Sequence, residues 1–478
     1  MKVVKNYLYN AAYQLLAIIL PLITAPYISR TLKPKGVGIY SYTTSLIQWF
    51  TILSILGIDL YGQKKIASVR DNKKELSKAF WEIQIVKTGF TVISAILFII
   101  FLHIYKEYTS YMWIQSLNIL ATLLDISWLY MGLENFKITV IRNTLIKIVS
   151  LILIFVFIKN PNDVAMYIFI TGIALVLGNL TLWPYLKNVL TKIEWKTLNF
   201  KKHIKPALAY FIPQNATQIY LIINKNLLGY ISGPTLAGFY NNADNLVRIV
   251  LVFVTSIGTV MMPHIANEYS RGNKENIKKY TYSSFEFVSV LSFAMMFGIA
   301  AISYKGAVFF YGKGYEMVGL VLPIESIIII LLGWSNTLGT QYLVPTNRVD
   351  KYTQAIVIGT LINFILDIPL IKIWGLFGAM WATVISQIFI TALQFRVVRK
   401  EIEFRKILKS SVKYAVSGVI MYSVVLFLDL RMPGNAISLV FQIVVGAVIY
   451  VIVLIILRAK IVVMVREKVF NSKKGSSK

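Results

Sequence analysis

Apolar residues in this chain come in continuous runs of about 20, separated by short polar stretches dense in lysine and arginine. Runs of that length match an α-helix crossing a bilayer. Their continuity, without the period-2 alternation of lipid-facing strands, excludes a barrel. The pattern predicts helices near 8–29, 37–58, 79–103, 111–132, 139–158 and 164–186. A second set follows near 207–230, 239–262, 281–303, 316–340, 353–373 and 377–397, and a last pair near 410–429 and 436–457. The expected fold class is therefore an all-α polytopic membrane protein of about 14 transmembrane helices. Prolines interrupt several segments (Pro21, Pro26, Pro213, Pro323, Pro369), which a bundle tolerates where neighbours satisfy the freed backbone.

A self-match organises the pattern further. Tyr27-Ile-Ser-Arg-Thr-Leu-Lys-Pro-Lys-Gly-Val-Gly-Ile-Tyr40 joins the first two segments, and Tyr230-Ile-Ser-Gly-Pro-Thr-Leu-Ala-Gly-Phe-Tyr240 joins the seventh and eighth. Tyr-Ile-Ser matches Tyr-Ile-Ser, which sets Gly233 opposite Arg30, and Gly38-Ile39-Tyr40 falls on Gly238-Phe239-Tyr240. The same place in each half implies a duplicated six-helix unit. The expected division is an N-terminal lobe at 1–206, a C-terminal lobe at 207–409, and a helix pair with a basic tail at 410–478. An even number of helices per repeat gives both copies one orientation, with an axis along the membrane normal and a cavity between the lobes.

Composition changes the picture in two ways. Only 15% of residues are charged, against about 25% in soluble domains, and the mean hydropathy is +0.66. The net charge of +28 would suggest nucleic acid in a soluble protein. Here its distribution points elsewhere. With the N-terminus inside, the cytoplasmic segments carry 36 of the 49 Lys/Arg, and the external loops, counted with Lys372 at the outer end of its segment, carry 9. That bias places both termini in the cytoplasm and removes nucleic acid as a partner. The tail Arg458–Lys478 is expected near anionic lipid headgroups.

Much chemistry is excluded. The chain has no cysteine and three scattered histidines (His103, His203, His264), so no thiolate or histidine metal cluster is available. No phosphate-binding glycine loop, dinucleotide fingerprint or Asp-x-Asp pair is present. The longest connections are about twenty residues, too short for a catalytic domain. No catalytic residue, metal or cofactor is expected, and the chain is not an enzyme.

What the apolar segments do contain is charge, costing at least about 2.5 kcal/mol per group at a helix centre. Arg248 lies about ten residues into 239–262, with Asp244 one turn before it in the favourable order. Two roles are open: a structural ion pair, or a cavity cation for an anionic substrate. Lys87, Asp125 and Lys147 sit at equal depth, about 11 Å from the cytoplasmic ends of their segments. Lys87 and Asp125 are a candidate pair, against snorkelling of both lysines. Glu325 is mid-segment with no evident partner, a candidate for ion coupling. Asp367 and Lys372 are expected to form a local pair. Together these charges predict a cavity more cationic than neutral, suited to a phosphorylated amphiphile.

The run Pro26-Tyr-Ile-Ser-Arg30-Thr-Leu, continuing through Pro34 and Gly38-Ile-Tyr-Ser41-Tyr, resembles the opening of bacterial polysaccharide repeat-unit flippases (Wzx type). These belong to the multidrug/oligosaccharidyl-lipid/polysaccharide exporter superfamily. Tyr61-Gly-Gln-Lys-Lys-Ile-Ala-Ser-Val-Arg70-Asp, Gly238-Phe-Tyr-Asn-Asn-Ala243, Met262-Pro263-His-Ile-Ala and Tyr342-Leu-Val-Pro345-Thr-Asn fit at matching places, so the resemblance covers nearly the whole chain. It implies passage of undecaprenyl-diphosphate-linked oligosaccharide across a bacterial plasma membrane by alternating access, for capsule or O-antigen-type polymers. It also implies a polymerase and other assembly proteins as partners alongside membrane lipids. In that picture the cavity cations meet the diphosphate, and Arg30 is an exit cation or an interfacial anchor. Lys33-Pro-Lys35 stands where relatives often carry Gly-Pro-Glu. An ion-coupled small-molecule exporter on the same fold and a membrane polymerase are the competing readings. The first would want an anionic cavity and the second a large external loop.

Overall fold

The structure, a computed structural model, describes the backbone of residues 2–464 and 466. The side chains of 2–18, 136–138, 141, 213, 216 and 217 lie outside the described residues, as does the tail from 467. The proline at 213 and most of the basic tail therefore fall outside the description.

Every apolar segment becomes helical, and no strand occurs among the described residues. The first unit runs α1 (Lys2–Ile55), α2 (Ile58–Val69), α3 (Lys73–Ile104), α4 (Thr109–Gln115), α5 (Leu117–Leu124) and α6 (Ser127–Gly132). It continues with α7 (Phe136–Phe157), α8 (Val164–Leu180), α9 (Leu186–Val189) and α10 (Lys201–Ser232). Then come α11 (Pro234–Thr255), α12 (Ile257–Ser270), α13 (Lys274–Tyr311), α14 (Glu316–Glu325) and α15 (Ile328–Leu338). After a π-helical turn at Gly339–Leu343 the chain closes with α16 (Val349–Trp374), α17 (Leu376–Val398), α18 (Phe404–Arg431) and α19 (Ala436–Ile456). Nine helices among the described residues are long and apolar enough to cross a membrane, and up to eleven with two bent pairs counted. The protein is an all-helical, multi-pass membrane protein.

Compact packing divides the chain into Met1–Gly238 and Phe239–Lys478. In the first unit Ile58, Phe80, Ile83, Trp128 and Leu182 form one core, with the Phe80 and Trp128 rings stacked 5.5 Å apart. In the second, Tyr414, Met421, Val425, Tyr450 and Leu454 join α18 and α19. The other faces of these helices leave Phe427, Val440, Phe441, Ile443 and Val444 exposed. An exposed apolar surface on that scale is what a lipid-facing helix presents.

The repeat is visible in the backbone, which keeps the Gly38–Gly238 and Tyr40–Tyr240 match and corrects the Tyr-Ile-Ser one. α1 is broken at Lys33 (φ 62°, ψ 171°) immediately before Pro34. α10 ends at Gly233 (φ 94°, ψ 154°) immediately before Pro234, the first residue of α11. A left-handed residue followed by a proline at the first helical position makes the same sharp turn twice. This register matches Lys33 with Gly233, Gly38 with Gly238 and Tyr40 with Tyr240. The shared Tyr-Ile-Ser strings are thereby three residues out of step, and Tyr230, not Gly233, is the counterpart of Arg30. A turn's backbone geometry fixes the register where a three-residue identity does not. Asn72 and Asn273, each accepting from backbone N–H groups, cap α3 and α13 in the same way.

Candidate functional site: two buried charge clusters

In the second unit Asp244 and Arg248 lie one turn apart on α11. Arg248 Nε donates to both carboxylate oxygens of Asp244, at 2.8 and 2.7 Å. The Asp244 side chain is 3% exposed and that of Arg248 is 31% exposed. The pair is held through Nε, and the two terminal nitrogens of the guanidinium make no hydrogen bond among the described residues. Glu325, at the end of α14, is fully buried. It interacts electrostatically with both Asp244 and Arg248, while its two oxygens make no hydrogen bond among the described residues. The residue the sequence leaves without a partner thus belongs to the Arg248 group.

In the first unit Lys87 is completely buried on α3. Its Nζ donates to the backbone oxygen of Asp125 at 2.7 Å and approaches Asp59 Oδ1 at 3.5 Å. The expected side-chain pair with Asp125 is therefore replaced by one with Asp59. The Asp125 carboxylate turns instead to cap α6, accepting from Ser127 N at 2.8 Å. The break between α5 and α6 frees the Asp125 carbonyl for Lys87. Gln214 on α10 joins the same turn, its Oε1 accepting from Leu60 N at 3.3 Å. Lys147 sits half-buried on α7, and the hydrogen bonds of Lys87 run to Asp125 and Asp59 rather than toward it. Asp59 lies one residue beyond its apolar segment, where the hydrophobic pattern does not mark it. An acidic residue directly at a helix end, in a chain with only 21 Asp and Glu, is the signal that marks it.

Arg30 is exposed and lines an open cleft of about 560 Å³ with Tyr27, Lys33 and Lys159. Tyr27 Oη donates to the Ile158 carbonyl at 2.6 Å and ties this turn to the end of α7.

Two expectations change. Arg248 has the carboxylates of Asp244 and Glu325 beside it and Lys87 has that of Asp59, so these clusters are not the cationic surface the segment count implies. The Asp367–Lys372 pair does not form: Asp367 is fully buried with both oxygens unsatisfied among the described residues, and Lys372 is exposed. One turn before Asp367 on α16, Asn363 is equally buried and unsatisfied. Lone buried carboxyl and amide groups cost free energy, and a proton or small cation is the species that such oxygens accept. Groups of three or more acidic or histidine side chains able to hold a metal ion are absent among the described residues.

A further network lies where the apolar pattern does not mark it. Glu82 on α3 accepts from Asn199 N at 2.7 Å and lies 2.8 Å from both His203 Nε2 and Lys202 Nζ, while His203 Nδ1 meets Tyr61 Oη at 2.5 Å. It fastens α2, α3 and the start of α10 together. On α13, Glu286 plays a similar part, bound by Lys460 at 3.0 Å and Tyr414 at 2.5 Å.

A family model described as "Polysaccharide biosynthesis protein" matches residues 3–269. The chain is 25% identical over 403 residues to the "Putative O-antigen transporter" of Escherichia coli (strain K12), covering 83% of this chain and 96% of that protein. Among solved structures it is similar to "Lipid II flippase MurJ, inward closed conformation", with a TM-score of 0.76, 17% identity and coverage of 95% of this chain and 99% of that one. An inward-facing MATE family transporter of the MOP superfamily gives a TM-score of 0.64 at 13% identity, over 80% of this chain and 97% of that one. At such identities the structures speak for the fold alone.

Proposed function

The chain belongs to the polysaccharide biosynthesis protein family, within the Wzx-type flippases, and from that membership we propose that it moves undecaprenyl-diphosphate-linked oligosaccharide repeat units from the cytoplasmic to the outer leaflet of a bacterial plasma membrane. Near full-length similarity to a putative O-antigen transporter carries this reading. The product would feed a capsule or O-antigen-type polymerase and its assembly partners. Both termini lie in the cytoplasm in this scheme, as the lysine and arginine bias favours.

The mechanism is alternating access, with the repeats at 1–206 and 207–409 as moving lobes and 410–478 as an accessory pair. α10 packs on the helices of the first unit here, so it is the element whose contacts change as the lobes exchange. Arg248 is the substrate cation. Asp244 holds it through Nε, which leaves the guanidinium edge for a diphosphate oxygen in the bidentate manner arginine favours. Lys87, Asp59 and Asp125 stiffen the first lobe, and Arg30 stands at the exit. Coupling to an ion gradient falls to the buried carboxyls Glu325 and Asp367.

The test is complementation in a bacterium lacking its own repeat-unit flippase. The wild-type chain should restore labelled lipid-linked oligosaccharide at the outer surface, and Arg248→Ala should not, at equal membrane abundance. Outer-surface labelling that stays absent with the wild-type chain, while the lipid-linked unit accumulates inside, would reject the assignment.

A further inference from the structure

A second anion site lies away from the Arg248 cluster. The turn before α13, the start of α16 and the link between α17 and α18 enclose a pocket of about 620 Å³ in the second unit. That volume is in the range of small-ligand sites. Its floor contains Tyr342 and Thr346, both buried.

Four cations line the pocket, Lys274, Lys278, Arg348 and Lys400, with one carboxylate, Glu401. That carboxylate is already fully engaged. Arg348 Nη1 and Nη2 donate to its two oxygens at 3.1 and 2.9 Å, and Tyr342 Oη donates to Oε2 as well. Arg348 Nε turns to Thr346 Oγ1 at 3.1 Å, so this arginine is built into the wall. The three lysines are exposed around it, and their side chains make no hydrogen bond or ion pair among the described residues, though Lys274 interacts electrostatically with Glu401. Three other lysines of this unit pair with carboxylates, Lys351 with Asp350, Lys406 with Glu403 and Lys460 with Glu286, so convergence, and not the lack of a partner, marks this site. Three exposed lysines and a wall arginine converge on one concavity that holds a single carboxylate.

We propose that this pocket binds a phosphorylated headgroup, the phosphate lying among Lys274, Lys278 and Lys400. A phosphate carries enough charge to answer several lysines at once, which a chloride or single carboxylate does not. The volume exceeds that of bare phosphate and leaves room for a small polar substituent such as glycerol. The phosphate can come from an anionic lipid of the adjacent leaflet or from a soluble phosphate ester. The site is independent of the transport reading, since none of its residues belongs to the proposed substrate path.

The full chain in nanodiscs of zwitterionic phosphatidylcholine provides the test. Phosphatidylglycerol retention is measured by native mass spectrometry, and glycerol 1-phosphate binding by titration calorimetry. The Lys274/Lys278/Lys400→Gln triple variant should weaken binding about a hundredfold, as the loss of three lysines near an anionic group implies. The charge-matched Lys192/Lys196/Lys201→Gln variant should bind as wild type does. Lys278→Gln alone should give an intermediate loss, and arginine at all three positions should preserve binding. Retention of the lipid without affinity for glycerol 1-phosphate assigns the site to the leaflet, and binding of both assigns it to the headgroup alone. No binding of either probe by the wild-type chain, or equal binding by the triple variant, overturns the proposal.

Discussion

Gly38 and Gly238 meet backbone to backbone within the first unit: a Cβ on Gly238 would stand 2.7 Å from the Gly38 Cα. A Cβ on Gly38 would stand 2.5 Å from the Pro234 carbonyl oxygen. The obstacle on both sides is main chain, which has no rotamer to yield. The two copies of the repeated turn therefore cross at the one pair of positions where both lack a side chain.

Alanine at either position should destabilise the protein by about 1–3 kcal/mol, the usual cost of overpacking. Gly89 on α3 is the control, because an added Cβ there meets nothing within 4 Å. Gly89→Ala should be neutral or slightly stabilising, as alanine is the better helix former. Thermal unfolding of the detergent-purified chain measures all three. A Gly38→Ala melt matching wild type would mean that the crossing is looser than these distances imply.

Lys33 adopts φ 62° and ψ 171°, a conformation costing a non-glycine residue about 1–3 kcal/mol. Its counterpart in the repeat, Gly233, adopts φ 94° without that cost. This explains physically why the related Gly-Pro pattern carries glycine at the turn. Lys33→Gly should raise the melting temperature and Gly233→Lys should lower it. The opposite order would show that the Lys33 side chain contributes more than its backbone loses.

Lys87 and Asp59 should be energetically coupled, and Lys87 and Asp125 should not be coupled through the Asp125 side chain. A double-mutant cycle with Lys87→Met and Asp59→Asn should return an interaction energy on the order of 0.5–3 kcal/mol. The figure sits at the lower end of what buried pairs give, since Asp59 is 34% exposed. Asp125→Asn keeps the backbone carbonyl and should cost only about 1 kcal/mol, the value of a helix cap. Strong coupling between Lys87 and the Asp125 carboxylate would contradict this arrangement.

How far these features were legible depended on what kind of pattern carries them. Helix identity is written in runs of about twenty apolar residues, so every segment could be placed. The Asp244–Arg248 pair is local, one turn apart on a single helix, and it too could be read directly. Lys87 shows the limit. Equal depth in neighbouring helices suggested Asp125, but depth does not say which atom of a residue faces inward. The break between α5 and α6 turned the Asp125 side chain to a cap and its carbonyl to Lys87. The Glu82–His203–Tyr61 network joins residues from three helices at separations no periodicity encodes. Asp367 failed for a similar reason, because a spacing of five residues does not place Lys372 on its face of α16.

His203 makes the first unit sensitive to acid. Burial holds its imidazole below the ordinary range, outweighing the Glu82 hydrogen bond that pulls it upward. An unfolded histidine titrates near about 6.5, so the native state binds fewer protons as the pH falls through that value. The stability contribution is therefore complete above about pH 7 and is lost as the pH drops through the native pKa. Melting temperature should fall between about pH 7.5 and pH 5.5, and His203→Gln should flatten that dependence. A slope unchanged by the substitution would remove His203 as its origin.

In the proposed mechanism Asp244 acts on transport through Arg248, holding the guanidinium through Nε and leaving its two terminal nitrogens without a hydrogen bond among the described residues. Asp244→Asn should leave the chain in the membrane, at a cost of about 1–3 kcal/mol, yet reduce delivery of lipid-linked oligosaccharide to the outer surface. Arg248→Lys separates charge from geometry. An ammonium keeps the cation, but it cannot be anchored at one nitrogen while offering two others to a diphosphate. It should therefore fail nearly as badly as Arg248→Ala in the complementation assay. Glu325→Gln distinguishes the third member: it preserves size and burial but removes the ionisable group. If Glu325 couples transport to protons, this variant should carry substrate independently of the proton gradient, while the wild type slows when that gradient is collapsed. Equal sensitivity of both proteins to an uncoupler would take Glu325 out of the coupling step and leave Asp367 to be examined by the same comparison.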